Sequence, residues 1–96
     1  MRVRLTPVAL EDIAAIYQAH NAGFAKRAED AVFDALDSFA TFPQFGVETD
    51  EVGVHRWPIR EFHYTIFYRI SWKKEIIEVV RIMDARRVRD LKRVPW

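Results

Sequence analysis

The chain has 96 residues, half of them apolar, 14% aromatic and none cysteine, with a formal net charge of +1. That length suits one hydrophobic core and leaves too little for two, so a single domain over residues 1–96 is expected. The apolar content excludes a disordered chain, and the absence of cysteine excludes a disulfide framework or a thiolate zinc site.

The near-neutral total conceals two opposed halves. Residues 1–53 carry four Lys/Arg against nine Asp/Glu and residues 54–96 carry eleven against five, giving −5 and +6. The opening residues lack the basic and uninterrupted apolar regions of a signal peptide, and no apolar run approaches the roughly 20 residues that span a bilayer. No membrane association and a cytoplasmic location are therefore expected.

Arg2, Val3, Arg4 and Leu5 alternate basic and apolar, the period of a strand with one buried face. Thr6 reads as an N-cap and Pro7 as the first helical residue, where a missing N–H removes no hydrogen bond. Ala9, Ile13, Ile16, Tyr17 and His20 recur at helical spacing, so a first helix is expected to run to about His20. Asn21, Ala22 and Gly23 read as its end, because Asn and Gly tolerate positive φ. Ala28, Ala31, Val32, Ala35, Leu36 and Phe39 form the stripe of a second helix, from Phe24 to about Ala40. So short a connection predicts an antiparallel hairpin, and the alanines let its axes approach.

Phe42, Pro43 and Gly46 open a loop that continues through Glu48, Asp50 and Glu51 to Gly53 without either period. Three strands are expected after it, over Val54–Arg60, Phe62–Ser71 and Glu75–Met83, with Trp72, Lys73 and Lys74 as the hairpin turn between the last two. Pro58 places the first of them at an edge or a bulge, since proline donates nothing to a ladder. Alternation on the middle strand puts Phe62, Tyr64, Ile66, Tyr68 and Ile70 on a core face, with His63, Thr65, Phe67 and Arg69 opposite. On the last strand it groups Ile76, Val80 and Ile82 with Glu78, and Ile77 and Val79 with Arg81, so neither face is polar. Two helices cover one face of a small sheet, which predicts an apolar patch of Phe67, Ile77, Val79 and Trp57 left for a partner chain. The expected fold class is α+β: an N-terminal strand, an antiparallel helix hairpin, then a three-stranded antiparallel sheet packed on the helices.

His20, His55 and His63 lie on different elements without ligand spacing and read as surface or hydrogen-bonded side chains, so no metal and no cofactor are expected. Ser38 and Ser71 lack a nucleophile-elbow context, and the three glycines form no phosphate-binding loop. Arg81 reads either as a functional cation or as an ion-pair partner of Asp84 or Glu78. Arg56 and Arg60 share a strand face, where they contact an acidic partner or stand as solvated edge charges. The stretch from Ala85 to Trp96 holds Arg86, Arg87, Arg89, Lys92 and Arg93 but only Trp96 for base stacking. It reads as a solvated tail or a protein contact, and no direct specific nucleic-acid binding is expected.

In order and spacing, four segments resemble the ParE branch of the ParE/RelE superfamily of bacterial toxins. They are VRLTPVALEDIAAIY (Val3 to Tyr17), FATFPQFG (Phe39 to Gly46), YTIFYRI (Tyr64 to Ile70) and IIEVVRIMDARR (Ile76 to Arg87), covering nearly the whole chain. The resemblance implies a plasmid-stabilising toxin silenced in a hetero-oligomer by a small ParD-like antitoxin whose carboxy-terminal segment wraps it. Antitoxin contacts would then fall on Trp57, Phe67, Ile77 and Val79 with Arg56 and Arg60, and target contacts on Arg81, Arg86 and Arg87.

The superfamily divides by chemistry. RelE-like members cut messenger RNA on the ribosome, which requires clustered cations and a proton donor around one phosphate. ParE-like members poison DNA gyrase by binding. Arg81 matches an arginine common to both branches. The lysine pair that RelE-like enzymes place before the middle strands is absent, with Glu48, Asp50 and Glu51 in that region, and no tyrosine follows Arg81. These departures favour a binding-type gyrase inhibitor with no catalytic residues. The alternative, a ribosome-dependent endoribonuclease, would have to use Arg56, Arg60, Arg69, Arg81 or His63.

Overall fold

Val3 and Leu5 pack toward the core while Arg2 and Arg4 stay exposed, so Arg2–Leu5 forms strand β1 as its alternation predicts. The computed structural model describes residues 1–86. Strand β1 lies parallel to the last strand, β5 (Ile76–Asp84), with Arg2 opposite Ile76 and Leu5 opposite Val79. Thr6 ties this strand pair to helix α1 (Pro7–Ala19). Its hydroxyl accepts the Ala9 N–H at 3.1 Å and donates to the Val80 carbonyl at 3.2 Å, and its own N–H bonds the Val79 carbonyl at 3.1 Å.

Helix α1 buries Ala9, Ile13 and Ile16, and helix α2 (Ala22–Thr41) buries Ala25, Ala28, Val32, Ala35, Leu36 and Phe39. The connection differs from expectation. Asn21 and Gly23 do not end α1 through positive φ: Asn21 is extended (φ −67°, ψ 160°) and its side chain accepts the Phe24 N–H at 2.8 Å, which makes it the N-cap of α2. Because α1 already ends on an extended His20, the unsatisfied N–H groups opening α2 are what an Asn side chain can serve.

After α2, Pro43–Phe45 makes one 3-10 turn and Val47–Glu48 adds a two-residue strand, β2. It pairs with β3 (Val54–Ile59), followed by β4 (Tyr64–Ser71) and β5. The expected three-stranded antiparallel sheet is thus a five-stranded mixed one, ordered β1-β5-β4-β3-β2, with β1–β5 its parallel pair. The expected antiparallel trio is its centre. Strand β2 reaches only Arg56 and His55, so β3 is an edge where Pro58 falls, as a missing donor requires.

Both helices pack on one sheet face, where Ile66, Tyr68, Ile77, Val79 and Ile82 meet their stripes. Phe39 stacks on Tyr68 at 4.4 Å and tilts against Trp57 at 5.4 Å. Burial of a side chain of that size contributes about 1.5–3 kcal/mol. The Tyr68 hydroxyl donates to the Pro43 carbonyl at 2.9 Å, fixing the turn after α2 to the sheet. Burial pushes this phenol above its ordinary pKa, partly offset by the Gly46 N–H. A Cβ at Gly46 would overlap that hydroxyl and lie 2.6 Å from Cζ of the ring, so only glycine fits the approach.

The second face corrects the predicted apolar patch. Tyr68 pairs with Val79 but Phe67 pairs with Arg81, so Val80 is an extra residue in β5, a β-bulge. Ile77 and Val79 face the helices, and the bulge returns Ile82 to that same side, parting it from Val80. Trp57 also packs against the helix-side core. Of the four patch residues only Phe67 is opposite, and it is 1% exposed in a small cluster with Val54, Val80 and Met83. A strict period of two cannot survive an inserted residue.

Candidate functional site

Strand β5 runs on past the end of β1, so its outer edge at Ile82 has no strand beside it. Asp12, on α1 between the buried Ala9 and Ile16, fills this gap. One of its oxygens accepts the Ile82 N–H at 2.9 Å and the Arg81 Nε–H at 2.9 Å, and the other accepts from Arg81 Nη2 at 3.1 Å. The side chains are 16% and 14% exposed, so this bidentate pair is largely withdrawn from water. Arg81 is thereby an ion-pair residue, as one of its two expected readings had it, but its partner is Asp12 and neither Asp84 nor Glu78. Asp12 went unnoticed in the sequence. The available signal was an acid inside the helical stripe 9, 13, 16, where an unpaired carboxylate would be costly.

Beside this pair, a cleft of about 330 Å3 separates the end of α1 from the end of β5, lined by Asp12, His20, Tyr64, Arg81, Asp84 and Arg86 among others. His20 Nε2 and the Tyr64 hydroxyl are 3.1 Å apart, and the His20 ring packs on Phe24 at 4.3 Å. Arg86 holds Asp84 with Nε at 3.1 Å and Nη2 at 2.9 Å, and this carboxylate raises the guanidinium pKa. Each guanidinium lining the cleft is matched by a carboxylate within it. Arg87 lies outside the described residues.

Of the five side chains that are candidates for ribonuclease chemistry, Arg56, Arg69 and Arg81 lie around Phe67 in the strand register, and Arg60 and His63 lie apart from them at the turn before β4. Arg56 and Arg69 are exposed on the helix-free face, diagonal across the β3–β4 pairing of Arg56 with Phe67 and Val54 with Arg69. Arg60 lies in the 3-10 turn Arg60–Phe62 that joins β3 to β4, and His63 follows it in the left-handed region (φ 59°). From His63 to Arg69 the extended chain covers about 20 Å, beyond the reach of both side chains to one phosphate. Arg81 is held by Asp12. Among the described residues no three His, Asp or Glu side chains are grouped to hold a metal ion, and no helix is long and apolar enough to cross a membrane.

A helix hairpin on one face of a five-stranded mixed sheet is the fold of the RelE/ParE-like toxins. The chain superposes on one from the chromosomal ParDE TA system of P. aeruginosa with a TM-score of 0.64 at 22% identity, over 88% of this chain and 95% of that one. It superposes on the isolated E. coli RelE toxin with the same TM-score of 0.64 at 12% identity, over 95% of this chain and 88% of that one. No curated protein matches significantly. The chain belongs to the ParE toxin family of type II toxin-antitoxin systems (parDE), which it matches over residues 3–89.

Proposed function

We propose that this toxin acts in the cytoplasm by binding DNA gyrase, and that a ParD-like antitoxin neutralises it. The observation that carries this reading is the state of Arg81: the cation shared by both branches of the superfamily is tied to Asp12 and is not free to act on a phosphate. Acid–base cleavage of RNA requires donors converging on one phosphate, whereas inhibition by binding requires only a surface. On this reading target contacts fall on Arg86 and Arg87, with Arg81 supporting the end of β5.

The antitoxin contact is proposed to shift with the corrected faces. Phe67, Ile77 and Val79 are buried, while Leu10, Tyr17 and Phe33 are 55%, 41% and 44% exposed on the helices. These, with the exposed Arg56 and Arg60 and the half-buried Trp57 of the β3 region, offer the apolar and cationic groups that an amphipathic acidic segment would cover. The structure of a ParDE system among similar folds supports an antitoxin partner.

Purified toxin added to gyrase and relaxed plasmid should abolish supercoiling, and added antitoxin should restore it. Unimpaired supercoiling at toxin levels that arrest growth, together with cleaved messenger RNA in the arrested cells, would transfer the assignment to the ribonuclease reading.

A further inference from the structure

Among the described residues the helix layer is acidic and part of the helix-free sheet face is basic. Helix α2 alone carries Glu29, Asp30, Asp34 and Asp37 against Lys26 and Arg27, and Lys26 is already paired with Asp30 at 2.7 Å. The helix-free sheet face is basic at its β1 side. Arg4 on β1 sits opposite Glu78 on β5, and Glu78 opposite Arg69 on β4, so a single row crosses three strands as Arg4, Glu78, Arg69. Arg2 stands two residues before Arg4 on the same face, and Lys74 of the β4–β5 turn joins Arg4, Arg69 and Glu78 around a shallow cleft of about 270 Å3. All four cations are exposed, and none of their side chains makes an ion pair or hydrogen bond among the described residues. Cations on this face are thus left open, whereas Lys26, Arg81 and Arg86 are neutralised in place.

We propose that this Arg2–Arg4–Arg69–Lys74 surface binds the phosphate backbone of duplex nucleic acid without reading its sequence. The geometry suits a polyanion. Strand spacing sets Arg4 and Arg69 about 10 Å apart across β5, and strand rise sets Arg2 and Arg4 about 7 Å apart along β1, so the cations form a patch that meets several phosphates of one backbone. Arginine predominates, and its planar fork suits phosphate oxygens. An acidic protein segment fits less well: a specific protein interface needs an apolar centre, and Phe67, Val54 and Val80 beside the patch are already buried. A single strand fits less well for a related reason, since among the described residues only Trp72 of the β4–β5 turn, 62% exposed, is near the patch, and stacking successive bases needs more than one ring. The inference does not depend on gyrase as the target.

Fluorescence anisotropy of the full chain with a labelled random 20-base-pair duplex tests it, beside the matching single-stranded RNA and polyglutamate. With three to four phosphates neutralised, log K should fall against log salt with a slope of about −3, or about 60-fold between 50 and 200 mM salt. The double variant R4E/R69E should weaken duplex binding about tenfold or more, and the helix-layer control Arg27→Glu should leave it unchanged. Circular dichroism melts matching the wild type establish that the variants are folded, and the single variants Arg4→Gln and Arg69→Gln serve if the double one is not. No duplex binding at 50 mM salt, an equal loss in the Arg27→Glu control, or tighter binding of single-stranded RNA or polyglutamate than of duplex overturns the proposal.

Discussion

Replacing Asp12 with alanine should unfold this protein more readily than almost any other single polar change. The carboxylate accepts three hydrogen bonds, two from the Arg81 guanidinium and one from the Ile82 N–H, at 2.9–3.1 Å. Its loss strands both groups at once. An orphaned backbone N–H costs about 1–3 kcal/mol, and breaking a buried ion pair from one side costs about 3–5 kcal/mol. Arg81 is 16% exposed and can turn partly toward the cleft, so its share falls below that range and the total is about 3 kcal/mol. For a domain of this size that lowers Tm by about 12–24 °C. The companion variant Arg81→Met separates the roles, because Asp12 keeps its bond to Ile82 while its carboxylate, 14% exposed, is left without a cation. It should cost about 2 kcal/mol, less than Asp12→Ala because the Ile82 N–H is not stranded. Urea titrations followed by tryptophan fluorescence give both numbers. A loss under about 1 kcal/mol for Asp12→Ala, or equal losses for the two variants, would show that the carboxylate does not support the end of β5 as described.

Gly46→Ala should destabilise by about 1–3 kcal/mol in the same titration, because the added methyl must displace the Tyr68 ring or the turn that holds it. Thr6→Ala removes the N-cap of α1 and the bond to Val80, and a loss of about 1–2 kcal/mol is expected, whereas Thr6→Ser should retain most of the stability. Tyr68 also makes stability depend on alkaline pH. Its phenol pKa is raised in the fold, so its contribution is complete below the unfolded value of about 10 and is lost as pH rises through the higher folded one. Tyr68→Phe should flatten that part of the alkaline decline in Tm, and an unchanged decline would place its origin elsewhere.

Much of the fold was legible because its signals are local. Thr6 before Pro7, the stripes of both helices and the alternation of β4 each need only a few neighbouring residues to be read. Asn21 was ambiguous for a physical reason: an Asn side chain serves a helix start as well as a helix end, and the backbone at His20 decided between them. Strand β2, at two residues, is too short to show a period. The candidate site was less legible. Arg81 was visible as a charge, but its partner lies 69 residues away.

Composition and local pattern by themselves determined an α+β fold and two halves that differ in charge, since burial and element type follow from side-chain chemistry and spacing. Tertiary structure alone decided which faces those elements show. The inserted Val80 moves every later residue of β5 relative to its period, which buries Ile82 with Ile77 and Val79 beneath the helices. It also decided which charges are available, because a carboxylate neutralises an arginine only where the fold brings them within hydrogen-bond reach. Asp12 takes Arg81 on those terms, and Arg2, Arg4 and Arg69 stay open to a partner.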